Sequence, residues 1–297
     1  MEDRTDFYKE ISSNKRKSWL LAACVFAVLL ALVWVFYLIY DVAALVIGVL
    51  FSIIYVYSTY YYGDKVVLSS TGARPVNERN VKELQFKNIV ENLAMADRLP
   101  KAPDAYVIES EEMNAFATGR DPEHASIAIT TGLMNKLSRD ELEGVVAHEI
   151  SHVANYDIKF ATLIAVMVGL AAILSYMFLR MGAFGGGGNR RGGSGMAWLI
   201  IIGIVLAIFA PIITRLVQAA VSRKREYMAD ASGAKLTRYP EGLAKALEKI
   251  KGNNKGTMKV SEAVSHLFLD DPTHSHLDGL FATHPPIDDR IRTLRAM

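Results

Sequence analysis

The stretch VVAHEISHVANYD, residues 145–157, places His148, Glu149 and His152 within one otherwise apolar segment. Histidines four residues apart on a helix project from one face about a turn apart, which suits a tetrahedral ion such as zinc. Glu149 is the next residue round. It can reach a water on the ion without becoming a ligand, take the proton that zinc makes labile, and release a hydroxide to attack a peptide carbonyl. The competing reading is that three polar residues merely share a helix. That reading leaves two imidazoles and a carboxylate side by side with no partner.

Two histidines do not complete such a site, because a catalytic zinc takes three protein ligands and leaves a fourth position for water. The only cysteine, Cys24, lies in an apolar run, so His and carboxylates must supply the ligands. A metzincin continuation would need glycine and histidine where this chain has Asn155 and Ile158, which excludes that class. The later stretch SRKREYMADASGAKL offers Glu226, with Asp230 one helical turn on. Glu226 can bind the ion while Asp230 accepts a hydrogen bond from the outer nitrogen of a ligand histidine and fixes its tautomer. The alternative is that Glu226 only balances Arg223, Lys224 and Arg225.

The elements that must position these residues are legible as well. Ser138 and Glu141 have capping-box spacing, and Leu142, Val145, Val146, Ile150 and Val153 follow at helical intervals, so the motif is predicted on a helix. Residues 125–131 alternate and are rich in β-branched side chains, and NAFA, residues 114–117, reads as a neighbouring strand that ends at Gly119. An edge strand beside the metal helix could hold an extended peptide by backbone pairing.

The chain has 297 residues, 51% of them apolar, and a mean hydropathy of +0.19, which places it toward the membrane class. Its net charge of +2 gives no reason to expect a nucleic-acid partner. Four apolar runs account for the hydropathy: Trp19 to Tyr40, Val42 to Tyr62, Phe160 to Leu179 and Met196 to Val217. Each is long enough to cross a hydrocarbon core of about 30 Å. Lys15, Arg16 and Lys17 precede the first run as in a signal peptide, but the run is too long and lacks a cleavage site, so an uncleaved anchor is expected.

The basic tail, residues 1–18, predicts a cytoplasmic N-terminus. The stretches 63–159 and 218–297 then share that side and can fold together, interrupted by the transmembrane pairs 19–62 and 160–217. Arg180, Arg190 and Arg191 fall in the outer loop, against the same rule, so the second pair either spans or packs partly at the interface. The glycine-rich loop that joins it reads as a flexible linker. Apart from Asp41 at a turn, the runs contain no acidic residue and no lysine of the kind that marks an ion path, which argues against a transporter.

Taken together, the His148-Glu149-x-x-His152 motif, Glu226-x-x-x-Asp230 after the second apolar pair, and THPPIDDRI near the C-terminus resemble the HtpX-type membrane zinc metallopeptidases, relatives of the CAAX prenyl proteases. The resemblance extends over nearly the whole chain. It implies an α+β zincin-like (gluzincin) catalytic domain with four transmembrane helices, one Zn2+ per chain and a bacterial inner-membrane location facing the cytoplasm. It also implies an endopeptidase that degrades misfolded or damaged membrane proteins under stress. His148, His152 and Glu226 match the metal ligands and Glu149 the general base. His284 and Arg290 match positions that lie near the substrate carbonyl, where a donor would stabilise the developing oxyanion. Asn114 and Ala115, on the predicted edge strand, match a substrate-holding element, and Asp157 fits an acidic position of the family. A non-hydrolytic membrane scaffold or regulator, built around a structural metal, is the rival reading. Oligomeric state and cleavage preference are not encoded in any of these residues.

Overall fold

The computed structural model describes residues 42–163, 223–258, 260–270, 272 and 284–297, with the single positions 16, 23 and 201. Its sheet has four strands: β1 (Arg74–Pro75), β2 (Asp104–Ile108), β3 (Ala115–Gly119) and β4 (Ala125–Thr130), in the order β1-β2-β4-β3. β2 and β4 run parallel, whereas β1 pairs antiparallel with β2 and β3 antiparallel with β4, so β3 is left at an edge. Both strands expected from sequence are present. β4 begins at Ala125 as expected, and β3 ends at Gly119.

Besides a helical stretch at residues 157–163, eight helices surround the sheet among the described residues: α1 (Val42–Ser70), α2 (Val81–Ala96), α3 (Thr131–Lys136), α4 (Arg139–Ala154), α5 (Arg223–Thr237), α6 (Pro240–Asn253), α7 (Glu262–Ser265) and α8 (Ile287–Arg295). α4 starts at the predicted capping box. Ser138 accepts from the Glu141 backbone N–H, and the Glu141 carboxylate accepts from the Ser138 N–H at 2.7 Å. Its apolar positions, Leu142, Val145, Val146, Ile150 and Val153, are all buried. They share one core with Phe86 and Val90 of α2, Ile127 and Ile129 of β4, Leu243 and Leu247 of α6 and Leu294 of α8. That single core therefore draws on both polar stretches of the chain.

The sheet is covered on both faces, and strand alternation decides which residue goes where. Ala115 and Ala117 face the α4 side, while Phe116 and Ala128 join a second cluster with Val67 and Leu68 at the end of α1 and with Phe268. The earlier part of α1 exposes Val46, Ile47, Leu50, Phe51, Ile53 and Ile54. Among the described residues no helix is long and apolar enough to cross a membrane. Of the four apolar runs, the second falls on α1; the first and fourth, apart from single positions, and the third beyond residue 163 lie outside the described residues.

Two close approaches bring the site together. A Cβ on Gly144 of α4 would lie 2.6 Å from the Leu243 nitrogen, and one on Gly233 of α5 would lie 2.9 Å from the His148 nitrogen. Glycine thus lets the α5 backbone lie directly against the motif helix. Replacing it would ordinarily strengthen a helix by up to about 1 kcal/mol, but here the obstacle is backbone, which cannot swing aside, and overpacking costs about 1–3 kcal/mol. Gly233→Ala is therefore expected to lower the melting temperature and weaken metal binding together. Thermal unfolding with and without added zinc checks this, and a stabilised variant with unchanged metal affinity would contradict it.

Candidate metal centre

α4 delivers both histidines. His148 is buried and His152 partly so, with ring centroids 4.7 Å apart and planes nearly perpendicular. α5, pressed against α4 through Gly233, delivers Glu226. His148 Nε2 and His152 Nε2 are 3.2 Å apart. Glu226 Oε2 lies 3.7 Å from the former and Oε1 3.5 Å from the latter. Ligands about 2.0–2.1 Å from a tetrahedral ion stand about 3.3 Å from one another, so the triangle has the size such an ion demands.

The other nitrogen of each ring settles which atoms face inward. His148 Nδ1 is 2.9 Å from Asp230 Oδ1, and His152 Nδ1 is 3.1 Å from Asp157 Oδ2. A carboxylate there holds the proton on Nδ1 and leaves the Nε2 lone pair pointing into the site. Glu226 adds a third acceptor. Burial opposes its charge, yet His284, Arg290 and His152 outweigh burial and hold its carboxyl well below the usual range. Its Oε2 lies 3.3 Å from both His284 Nδ1 and Arg290 Nη1 but receives an aligned hydrogen bond from neither. Three side chains able to donate electron pairs crowd together, an arrangement that a divalent cation satisfies once it displaces any proton held among them. Among the described residues, His148, His152 and Glu226 form the cluster able to hold one.

Glu149 lines the same small cavity as the three candidate ligands, next to Ala117 and His284. Burial raises its pKa, although His148, His152 and Arg290 pull the other way. A carboxylate so tuned holds a proton more readily than one in water, as a general base that later acts as an acid should.

The structure separates the two residues that the family resemblance joined. His284 lines the cavity, and among the described residues neither of its ring nitrogens has an aligned hydrogen-bond partner. Arg290 lies behind the ligands, 1% exposed, with Nε 2.8 Å from Asp230 Oδ2 and Nη2 2.7 Å from Oδ1. Two of its nitrogens are taken by Asp230 and Nη1 lies 3.3 Å from Glu226 Oε2, so it stands behind the candidate ligands and not in the cavity lining. Asp230 is correspondingly depressed: burial opposes its charge, and Arg290 and His148 outweigh it.

The edge strand also differs in detail from the sequence expectation. Asn114 is fully buried; its Nδ2 donates to the Asp270 carbonyl at 2.8 Å, and its Oδ1 accepts from Ala115 and Asp270 N–H groups. It ties the loop after α7 to the strand and is not turned toward the cavity. The Ala115 carbonyl is taken by the Leu269 N–H at 2.9 Å. Because Asn114 and Thr130 form a hydrogen-bonded pair, alternation turns residues 115, 117 and 119 to the free edge. Gly119 N–H donates to Thr162 Oγ1. Ala117, between the two covered positions, is the one that lines the cavity.

The site is thus that of a metallopeptidase, with a His-Glu-x-x-His helix and a glutamate on a later helix able to complete a metal triangle. The profile of peptidase family M48 matches residues 80–297. The chain belongs to this family. It is similar to the protease HtpX homologs of Thermoanaerobacter pseudethanolicus, 41% identical over 99% of both chains, and of Dictyoglomus thermophilum, 41% identical over 98% of this chain and 95% of that one. That of Streptococcus gordonii is 38% identical over 98% and 99%. In fold it is similar to crystalline Ste24p from S. mikatae, with a TM-score of 0.50 and 21% identity over 96% of this chain and 66% of that one.

Two predictions follow from the geometry. Burial disfavours a charged His152, but Asp157 and Glu226 outweigh burial and raise its pKa to about 9. With no ion bound, that proton stabilises the fold fully below the ordinary value near 6.5 and is lost as pH rises through about 9. Metal must displace it, so apparent zinc affinity should climb about tenfold per pH unit within that window; chelator competition across pH measures this. Arg290→Met leaves Asp230 buried and unpaired, which should cost about 3–5 kcal/mol and weaken zinc binding together. Should Arg290→Lys retain stability and zinc but lose turnover, an oxyanion role for this position would return.

Proposed function

We propose that the chain is a zinc-dependent endopeptidase that hydrolyses peptide bonds of misfolded or damaged membrane proteins, from the cytoplasmic face of a bacterial inner membrane. The observation that carries the hydrolytic reading is the open triangle of His148, His152 and Glu226 with Glu149 beside it. A structural zinc would be closed by a fourth protein ligand, whereas the cluster among the described residues has three. The scaffold reading is accordingly weaker.

Zinc, when bound, supplies a Lewis acid that polarises the scissile carbonyl and makes a water acidic. The chain does the rest. His148 and His152 are fixed in their Nδ1–H form by Asp230 and Asp157. Ala117 offers an outward N–H and carbonyl with which an extended substrate backbone can pair. Glu149 takes a proton from the attacking water and returns it to the departing amine. His284, with ring nitrogens free of other hydrogen bonds, is the donor placed to reach the oxyanion.

The membrane reading rests on the four apolar runs, the basic N-terminal tail and the exposed apolar side chains of α1. Backbone pairing at a single strand position reads little sequence, which suits substrates defined by being unfolded.

Glu149→Gln should keep one zinc per chain and reduce cleavage of an unfolded membrane protein by about 100- to 10,000-fold. Zinc analysis and gel assays on the detergent-purified chain decide the matter. A zinc-loaded variant that cleaves as fast as the parent would remove Glu149 from the chemistry, and an inert, zinc-loaded parent would favour the scaffold.

A further inference from the structure

Of the two buried arginines at the site, one lines the cavity. Arg225 precedes Glu226 on α5, packs its guanidinium over the Phe160 ring at 5.0 Å and is 6% exposed. Its Nη1 is 3.6 Å from Asp157 Oδ1, a long contact for an ion pair. Its Nη2 is buried and has no hydrogen-bond partner among the described residues. Arg290 is equally buried, yet it is matched on both oxygens of Asp230 and lies away from the cavity lining. Arg225 lines the cavity together with His148, His152 and Glu226. A guanidinium N–H left unmet at such a place is costly unless an acceptor arrives there.

Charge balance decides what kind of acceptor fits. The carboxylates of Glu149, Asp157 and Glu226 offset a divalent ion together with Arg225, while Asp230 and Arg290 cancel behind them. An additional carboxylate would stand unbalanced in a buried site; a neutral carbonyl oxygen would not. We propose that Arg225 is a substrate-binding residue whose Nη2 takes a main-chain carbonyl oxygen of the peptide, on the side of the scissile bond nearer Phe160. The proposal rests on the peptidase reading and deepens it. Arg225 and Ala117 then hold the same backbone from two directions, and neither reads a side chain.

The test compares the full-length chain in detergent with Arg225→Lys and Arg225→Met. The substrates are quenched fluorescent peptides that differ only in carrying Glu, Gln or Lys on either side of the cleaved bond, and zinc content is measured on each protein. The expected result is one zinc per chain throughout, a KM raised roughly tenfold on every peptide in Arg225→Met, a smaller change in kcat, and partial recovery in Arg225→Lys. An unchanged KM in both zinc-loaded variants overturns the proposal, because water then suffices as the acceptor. A defect confined to Glu-containing peptides overturns it in favour of side-chain carboxylate recognition. Loss of zinc from both variants also overturns it, since Arg225 would then act only through Asp157 and His152. A zinc-loaded parent that cleaves none of the peptides removes the peptidase reading itself, and this proposal with it.

Discussion

Three electron-pair donors pointing at one another within 3.2–3.7 Å are a destabilising arrangement, and the surrounding structure is organised to enforce it. Left to itself, either imidazole would turn away from the others. Each is held by a carboxylate on its far nitrogen, and each carboxylate faces an arginine. His148, Asp230 and Arg290 form one such series; His152, Asp157 and Arg225 form the other. Local backbone serves the same end. Tyr156 adopts a positive φ of 60°, which breaks α4 after the motif and starts a new helical segment at Asp157, within reach of His152.

The two series are unequal. Arg290 meets both oxygens of Asp230 at 2.7 and 2.8 Å, so His148 has a closed support buried away from the cavity. Arg225 meets Asp157 only at 3.6 Å and lines the cavity, and its buried Nη2 has no hydrogen-bond partner among the described residues. The His148 support is therefore the more rigid of the two, and the His152 support the looser.

Local pattern carried much of this in advance. The motif helix, its capping box, the Glu226 and Asp230 turn and, to within a residue, the strands expected at 114–119 and 125–131 follow from spacings within single elements. What the sequence hid depends on contacts between distant residues. Arg290 reads as a partner for substrate until Asp230, sixty residues away, is found against it. Asn114 reads as a substrate contact until Asp270 closes on its amide. Strand alternation offers residues 115, 117 and 119 equally, and only the placement of Leu269 and Thr162 selects Ala117. Gly233 gave no signal at all, because a close approach of two helices leaves no mark on either one's periodicity.

One continuous helix links the apolar surface to the strand edge. α1 exposes aliphatic residues along its first turns, then tyrosines, and buries Val67 and Leu68 against the reverse side of the sheet beside Phe116. Arg120, just past β3, lies over the Tyr61 ring at 4.8 Å, and Lys159, just past the metal-site helix, over Tyr60 at 4.9 Å. Edge strand and metal helix are therefore both fastened to the tyrosine band of α1 by cation–π contacts as well as by core packing. A helix cannot shorten along its axis, so the height of the site above the apolar stretch is fixed by chain geometry.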